Sequence, residues 1–384
     1  MLKTPVHQFH VDNGGKMVDF AGWEMPLTYK LDLPGGKTYG GVHAEHHQVR
    51  NSGGFFDVSH MGRVSIKGRH SRRLVEKLVS RRVSDMQNGQ CRYALVLNER
   101  GGIKDDVLVY RLDSDDWLIV VNAANREKLL SHFDVVKDSI EGAVVKIEDR
   151  TEKTAMVAIQ GPKVMDVISN FSKEIPTLKR YRFVEKNLFV MKLLVSRTGY
   201  TGEDGVEVIL PKGSVKMALQ LLLKDLGNPE EAVVKPAGLA ARDTLRLEAG
   251  MPLYGHELTE DTPALSTGLD FAITVDKDQD ENGVEYVGCA ALKKMRDEGT
   301  PRVLVGLAID GKRTARQEYG VSVGGSNVGE ITSACMSPTL EKPIAMAFVD
   351  RAHSEIGTKV AVDTGKGELA AEVVKMPFYK APKK

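Results

Sequence analysis

The feature that most limits the possible fold is a glycine pair followed by a run of alternating residues, positions 101–110 (GGIKDDVLVY). Glycine adopts positive φ easily, so the pair predicts a tight turn and the run predicts a strand. Because side chains alternate between the faces of a strand, Asp106 shares one face with Leu108 and Tyr110. Asp105 lies on the opposite face. A carboxylate beside a leucine and a tyrosine is a candidate functional group, and the alternative is a pair of solvated turn aspartates.

Two further strands are predicted beside this one. Residues 91–98, 103–112 and 117–123 are β-prone runs, and short polar turns at 99–102 and 113–116 separate them. Strands joined in this way predict an antiparallel meander. The meander places Tyr93, Asp106, Tyr110 and Asn122 on adjacent strands.

The sequence pattern changes near residue 300, where helical periodicity ends. The remaining chain consists of short β-branched runs separated by turns, at 302–309, 328–334, 344–349, 359–362 and 369–374. This pattern predicts a small β-barrel or sandwich. We therefore predict an α+β protein with one domain at residues 1–275, a charged linker at 276–283 and an all-β, barrel-like domain at 285–384.

Composition limits the functional classes. Of 384 residues, 42% are hydrophobic, and the formal net charge is +1, so no global field favours nucleic acid or an anionic membrane. No apolar run approaches the length of a membrane span. Three widely spaced cysteines, Cys91, Cys289 and Cys335, indicate a reducing compartment. With no leader pattern at the N-terminus, we expect a cytoplasmic protein.

Two short motifs give only weak evidence for a metal site or a phosphate site. His43 and His47 lie one turn apart on a predicted helix at about 42–50, but no third ligand accompanies them, so a solvated polar face is favoured over a metal site. The segment 36–38 (GKT) lacks the first glycine of a phosphate loop, because position 31 is leucine.

Residues 31–40 predict a loop, and residues 55–66 predict one continuous strand.

Two charged residues admit two interpretations each. Glu207 lies in a predicted strand, either at its solvent face or as a hydrogen-bond acceptor for a ligand. Arg242 lies at the margin of the buried stripe of a predicted helix at 236–250. It could form a surface ion pair, or it could bind a planar carboxylate or carbonyl group.

A set of motifs in one order gives the chain its strongest resemblance. They are 16–26 (KMVDFAGWEMP), 56–62 (FDVSHMG), Gly101-Gly102 with Asp105-Asp106, 197–205 (RTGYTGEDG), 241–249 (ARDTLRLEA), 331–333 (ITS), 337–340 (SPTL) and 377–379 (PFY). With them the chain resembles the aminomethyltransferase family, the T-proteins of the glycine cleavage system, over essentially its whole length.

The resemblance implies a fold and a set of site residues. The fold would be a three-lobed cloverleaf, with two α/β lobes before the barrel and tetrahydrofolate in the central hole. Asp106 matches the catalytic aspartate beside the folate nitrogens, and Glu207 matches the pterin-binding glutamate. The other positions that match folate contacts are Tyr93, Tyr110, Asn122, Tyr200, Arg242 and Tyr379. Asp105 is expected to matter far less.

The resemblance also implies an activity. The protein would transfer a one-carbon unit from the aminomethyl-dihydrolipoyl arm of the H-protein to tetrahydrofolate, its co-substrate, giving 5,10-methylene-tetrahydrofolate and ammonia. Its partners would be the H-protein and the rest of the glycine cleavage system, in the cytoplasm or, in a eukaryote, the mitochondrial matrix. Because H-proteins are commonly acidic, the clustered basic residues Lys312, Arg313 and Arg316 are candidates for docking the carrier.

Two alternatives share the same fold. A folate-dependent demethylase usually carries a flavin domain before this module, and the chain has no GxGxxG pattern. A non-enzymatic folate-binding protein for iron–sulfur assembly would be expected to lack Asp106 and Arg242, and both are present. Two departures from the family pattern, a longer segment at 31–42 and the sequence YGHE at 254–257, lie outside the matched site residues.

Overall fold

The computed structural model describes residues 1–32, 37–188, 191–227, 232–281 and 283–382. Within them the strands are β1 (Leu2–Lys3), β2 (Gly15–Phe20), β3 (Trp23–Asp32), β4 (Thr38–Gly40), β5 (Gly53–Asp57), β6 (Gly62–Lys67), β7 (Gln90–Leu97), β8 (Ile103–Arg111), β9 (Asp116–Val121), β10 (Lys146–Asp149), β11 (Thr154–Gln160), β12 (Phe183–Leu188), β13 (Met191–Ser196), β14 (Gly205–Pro211), β15 (Val234–Pro236), β16 (Arg302–Ile309), β17 (Gly320–Val323), β18 (Ser326–Ser337), β19 (Lys342–Asp350), β20 (Lys359–Asp363) and β21 (Glu368–Val374). The α-helices are α1 (His7–Asp12), α2 (Gly41–Asn51), α3 (Ser71–Leu78), α4 (Arg126–Asp138), α5 (Val164–Ser169), α6 (Val215–Leu222), α7 (Leu239–Glu248) and α8 (Cys289–Glu298).

The predicted meander forms the centre of a five-stranded sheet with the order β10-β6-β9-β8-β7. Its pairings β7–β8 and β8–β9 are antiparallel, as the sequence predicts. One face, which includes Val107 and Val109, packs with α3 and α4 in a continuous core. The other face, which includes Tyr110, packs toward α7 and a second sheet. Asp106 lies on this second face, so its side chain is directed between two layers of the protein.

The second sheet has six strands in the order β12-β13-β14-β11-β5-β15. A core of apolar residues from α1, α5 and α6 covers its outer face. Its inner face contributes Phe56, Met156 and Ile209 to the core shared with Tyr110 and α7. The two sheets and α7 therefore enclose the region that contains Asp106 and Glu207.

Six strands of the C-terminal part form a closed barrel in the order β16-β19-β18-β17-β20-β21. Alternating inward side chains such as Leu307, Val349 and Val373 fill it. The predicted α+β class and the C-terminal barrel are both confirmed. The strand β17 was not predicted, because it has only four residues and is followed at once by the glycine pair Gly324-Gly325.

Two local predictions are wrong. Residues 55–66 do not form one strand, because β5 and β6 belong to different sheets. The carboxylate of Asp57 accepts a hydrogen bond from the backbone N–H of Ser59 at 2.9 Å, and this local bond turns the chain between the strands. The segment 31–40 is not a simple loop, because β4 pairs with the end of β3. Residues 33–36, part of the rejected phosphate loop and of the longer segment, lie outside the described residues.

The described part of the charged segment, residues 276–281, is fixed to α3 through Lys277. Lys277 is fully buried, and its Nζ donates to the backbone carbonyls of Glu76 and Val79, the latter at 2.6 Å. Three carbonyl acceptors and the Glu76 carboxylate at 3.2 Å satisfy this buried ammonium. In the part of the chain that the structure describes, no helix is long and apolar enough to cross a bilayer.

Candidate active site

Asp106 is held in one orientation by two neutral donors. The hydroxyl of Tyr93 donates to Oδ2 at 3.0 Å, and Nδ2 of Asn122 donates to Oδ1 at 2.7 Å. Burial raises the pKa of Asp106, while these two hydrogen bonds lower it. The alternative of a solvated turn aspartate is therefore wrong for Asp106. Its fixed carboxylate can stabilise a positive charge that develops nearby.

Arg242 extends from α7 into the space between the sheets. Its guanidinium carbon lies 4.8 Å from the ring centroid of Tyr200, whose hydroxyl donates to the carbonyl of Pro252. Burial lowers the pKa of Arg242, and the carboxylate of Glu207 raises it. Among the described residues Nη1 is inaccessible to solvent and has no hydrogen-bond partner. A buried guanidinium nitrogen without an acceptor is costly, so a ligand that supplies an acceptor would fit here.

Glu207 is buried on β14, so the solvent-face interpretation is wrong. Its Oε2 accepts a hydrogen bond from Oγ1 of Thr198 at 2.5 Å. Burial raises the pKa of Glu207, and the Thr198 bond and the charge of Arg242 lower it. The surface ion pair considered for Arg242 is likewise wrong, because both groups are inside the protein.

The predicted site residues form one connected group, with a single exception. Tyr110 is buried in the wall, where its hydroxyl lies 3.2 Å from Oγ of Ser196, and its pKa is raised by burial and by Glu207. Tyr93, which donates to Asp106, lies near Tyr200, which packs against Arg242. Burial and then the charge of Asp106 raise the pKa of Tyr93, and Tyr200 adds to this rise. The structure thus brings together Asp106, Tyr93, Tyr110, Asn122, Tyr200, Glu207 and Arg242.

Tyr379 is the exception. Its ring lies under the guanidinium of Arg50, with 4.1 Å between the guanidinium carbon and the ring centroid. Its backbone N–H donates to the carbonyl of Glu248 at 2.8 Å. Tyr379 therefore packs against a separate buried polar cluster, and a folate contact by this residue stays a prediction.

That cluster was missed by the sequence analysis, which predicted a solvated polar face for α2. His43 is exposed, but Glu45, His46 and Arg50 are buried where α2 packs against α7 and the barrel. Nη2 of Arg50 donates to Oε2 of Glu248 at 2.9 Å. Glu248 also accepts from the hydroxyl of Ser337 and from Thr339, and Nε2 of His46 lies 3.2 Å from its Oε2. No local signal in α2 reveals this burial, since the partners are distant in sequence.

We expect this cluster to make stability depend on pH. Burial raises the pKa of Glu248, but the His46 bond, Ser337 and Arg50 outweigh it and bring the pKa to about 2. A carboxyl group whose pKa is lower in the folded than in the unfolded protein stabilises the fold at pH values above its unfolded pKa. This stabilisation is lost as the pH falls from about 5 toward 2. In urea titrations, Glu248→Gln should lose about 1–2 kcal/mol less stability than wild type over this range. An equal loss in both proteins would contradict the assignment.

His60 is a second residue that the sequence analysis did not single out, although it lies in the 56–62 motif. Its ring packs edge-on against Phe20, with 5.4 Å between centroids, and its Nδ1 is buried without a partner among the described residues. Burial lowers the pKa of His60 to about 4, and the charge of Arg242 adds to this effect. His60 is therefore a neutral side chain beside Arg242. Among the described residues no group of His, Cys, Asp and Glu could hold a metal ion.

Two α/β lobes and a closed barrel surround a group of acids, tyrosines and an arginine between the sheets, and these side chains are suited to a polar small molecule. Comparison with known proteins identifies the family. Residues 6–277 match the GCVT N-terminal domain, and residues 302–380 match the glycine cleavage T-protein C-terminal barrel domain. The chain therefore belongs to the aminomethyltransferase family, the T-proteins of the glycine cleavage system.

Individual relatives agree over the full length. An aminomethyltransferase of Rubrobacter xylanophilus is 42% identical over 99% of this chain and 95% of its own length. One of Cutibacterium acnes is 40% identical over 99% of both chains. The crystal structure of glycine cleavage system aminomethyltransferase T from Bartonella henselae has a TM-score of 0.87 at 29% identity, covering 99% of this chain and 98% of that one. The predicted resemblance is confirmed.

Proposed function

We propose that this protein transfers the one-carbon unit of an aminomethyl-dihydrolipoyl H-protein to tetrahydrofolate, releasing ammonia. The observation that carries the proposal is a fixed, half-buried carboxylate, Asp106, near Nη1 of Arg242, which has no hydrogen-bond partner among the described residues. The first group suits a cationic reaction centre, and the second lacks an acceptor that a folate could supply. The family membership of the chain supports the same reaction.

The hydrogen-bonding groups of the site suit a folate. The pterin ring presents amide-type donors and acceptors, and Glu207 and Arg242 offer an acceptor and a donor for such edges. Tyr200 presents an aromatic ring beside Arg242. When bound, tetrahydrofolate supplies the nucleophilic nitrogens that receive the one-carbon unit. The residues of this chain then have three tasks, which are to bind, to orient and to stabilise charge.

Asp106 performs the electrostatic task. The transferred carbon lies between sulfur and nitrogen in the donor, so it gains cationic character as the carbon–sulfur bond breaks. A carboxylate held in advance by Tyr93 and Asn122 stabilises that charge without having to reorganise. The same carboxylate can accept a hydrogen bond from an attacking nitrogen and so orient it.

The donor of the one-carbon unit tests this proposal against the demethylase alternative. The full chain should form methylene-tetrahydrofolate from aminomethylated H-protein and tetrahydrofolate. With sarcosine or dimethylglycine as donor, and with a flavoprotein and oxygen added as the two-electron oxidant that this conversion requires, we expect no product. Product from the methylamines, at a rate comparable with the H-protein reaction, would favour the demethylase. No product from either donor, together with tight folate binding, would favour a non-enzymatic folate-binding protein.

Docking of the carrier should depend on salt. Lys312, Arg313 and Arg316 are exposed on the loop between β16 and β17, and the buried Ala315 anchors this loop in the barrel core. Since the total charge of the chain is only +1, attraction for an acidic carrier would have to come from such a local patch. Raising salt from about 50 to 300 mM should increase the apparent KM for the carrier roughly 3–10-fold.

A charge-neutralised variant locates the effect. Replacing all three residues with glutamine should raise this KM at low salt and flatten its salt response, leaving the KM for tetrahydrofolate unchanged. The matched control replaces Lys212, Lys216 and Lys224, which are exposed near α6. A flat response in wild type would exclude electrostatic docking, and an equal effect of the control would exclude this patch.

A cytoplasmic location, which we expect from the sequence, is part of the proposed function. Cys91, Cys289 and Cys335 are free thiols in the structure. Free thiols fit a reducing compartment such as the cytoplasm.

A further inference from the structure

One amide joins two adjacent carboxylates that the strand directs to opposite faces. Asn122 follows β9, and its Nδ2 lies 2.8 Å from Oδ1 of Asp105 and 2.7 Å from Oδ1 of Asp106. An amide nitrogen carries two hydrogens, so it can donate one to each carboxylate. The two acids are therefore close neighbours in space, although alternation separates their side chains.

Asp105 is the inner member of the pair and is fully buried. Its Oδ1 also accepts from Nδ2 of Asn125 at 2.6 Å, and its Oδ2 accepts from the backbone N–H of Asn122 at 2.9 Å. The donors that contact Asp105 and Asp106 are amides and one phenol, all of them neutral. Neutral donors favour ionised carboxylates, but they do not cancel the repulsion between two like charges in a buried site.

We propose that Asp105 and Asp106 are a carboxylate pair that shares one proton, with Asp105 as the positioning residue that keeps a single negative charge on the pair. This coupling replaces the expectation that Asp105 matters little, which was based on its position on the opposite face of the strand. The proposal rests on the proposed function only where it treats Asp106 as the catalytic member. Asp106 carries the charge toward the ligand, and Asp105 retains the proton.

The surrounding electrostatics agree with this assignment. Burial, followed by the charge of Asp106, raises the pKa of Asp105 to about 8. A raised carboxyl pKa means that the proton stays bound below about pH 8 and is lost above it. Burial also raises the pKa of Asp106.

Other titratable groups face the pair from neighbouring elements. Burial raises the pKa of three nearby phenols, Tyr93, Tyr200 and Tyr254, and the charges of the pair add to this effect, so all three are neutral at neutral pH. Behind Tyr254, Lys128 donates to its hydroxyl and to Oε1 of Glu260, each at 2.9 Å. Lys104, on the same strand as the pair, lies 3.6 Å from the other oxygen of Glu260. The carboxylate of Glu260 thus offsets part of the charge of both lysines.

Carboxyl NMR of the full-length, ligand-free protein tests the proposal directly. With ¹³C-labelled aspartate carboxyls, wild type should show one aspartate that titrates near pH 8, the pKa assigned to Asp105. That titration should disappear in Asp105→Asn. In Asp106→Asn the remaining Asp105 should titrate at least about one pH unit lower, because its charged neighbour is gone. Asp115→Asn, an exposed turn variant, should leave the titration unchanged.

The outcomes of this NMR experiment test the Asp105–Asp106 pair independently of the proposed one-carbon transfer. An Asp105 carboxyl that titrates below about pH 5 in wild type, or one that is unaffected by Asp106→Asn, would overturn the proposal. If Asp105→Asn does not fold, the Asp106→Asn spectrum still decides, because it observes Asp105 itself. An intact titration near pH 8 without any one-carbon transfer would reject the proposed function and leave the pair in place.

Discussion

Asp106→Asn is expected to slow one-carbon transfer by about 10²–10³-fold while the protein folds and binds tetrahydrofolate almost normally. The asparagine oxygen can still accept from Asn122, and the Tyr93 hydroxyl can rotate to accept from the new amide. What the variant loses is the negative charge at the point where positive charge develops. The effect should therefore appear in kcat, with little change in the Kd for tetrahydrofolate.

Single-turnover rates with saturating aminomethylated carrier measure this effect separately from binding. Asp115→Asn is the matched control, since it makes the same change at an exposed turn. Turnover in Asp106→Asn at the wild-type rate would show that Asp106 is not catalytic. A large rise in the Kd for tetrahydrofolate with an unchanged rate constant would make it a binding residue instead.

Arg242→Ala and Glu207→Ala are expected to weaken tetrahydrofolate binding by about 1–3 kcal/mol each, or roughly 5–150-fold in Kd. Each truncation leaves a polar group of the ligand unpaired in an enclosed site. For Arg242, Nη1 has no hydrogen-bond partner among the described residues, so its removal breaks no hydrogen bond of this nitrogen. Its removal should therefore cost more affinity than stability.

Calorimetric titration and thermal melting distinguish binding from folding. Arg302→Ala is a suitable control, because among the described residues the side chain of this arginine makes an exposed ion pair with Asp350 at 3.1 Å and is far from burial. The conservative variants Arg242→Lys and Glu207→Gln remove the bidentate geometry or the charge without leaving a cavity. A collapse of the melting temperature with normal affinity in the folded fraction would assign both residues to the fold.

The parts of the fold that depend on local pattern were predictable. Alternation along β8 placed Asp106 and Tyr110 on one face, and the structure directs both to the space between the sheets. The same reasoning predicted the meander and most of the barrel strands. Short polar turns and β-branched runs determine these elements from nearby residues alone.

The parts that depend on distant contacts were not predictable. Alternation separates Asp105 from Asp106, and it gives no sign that Asn122, directly after the next strand, joins them. Periodicity likewise gave α2 a polar face, whereas the partners of Arg50 lie 153 and 198 residues away in Glu203 and Glu248. Buried charges of this kind need several partners from separate elements, and one sequence does not reveal such pairings.

Ammonia release from aminomethylated H-protein, with and without tetrahydrofolate, is the most direct test of the central claim. Asp106, Arg242 and Glu207 are proposed to act on a one-carbon unit that passes to a bound folate. We therefore predict rapid ammonia release with tetrahydrofolate, matched mole for mole by methylene-tetrahydrofolate, and slow release without it. Ammonia release at the same rate in both reactions, or none in either, would contradict the account.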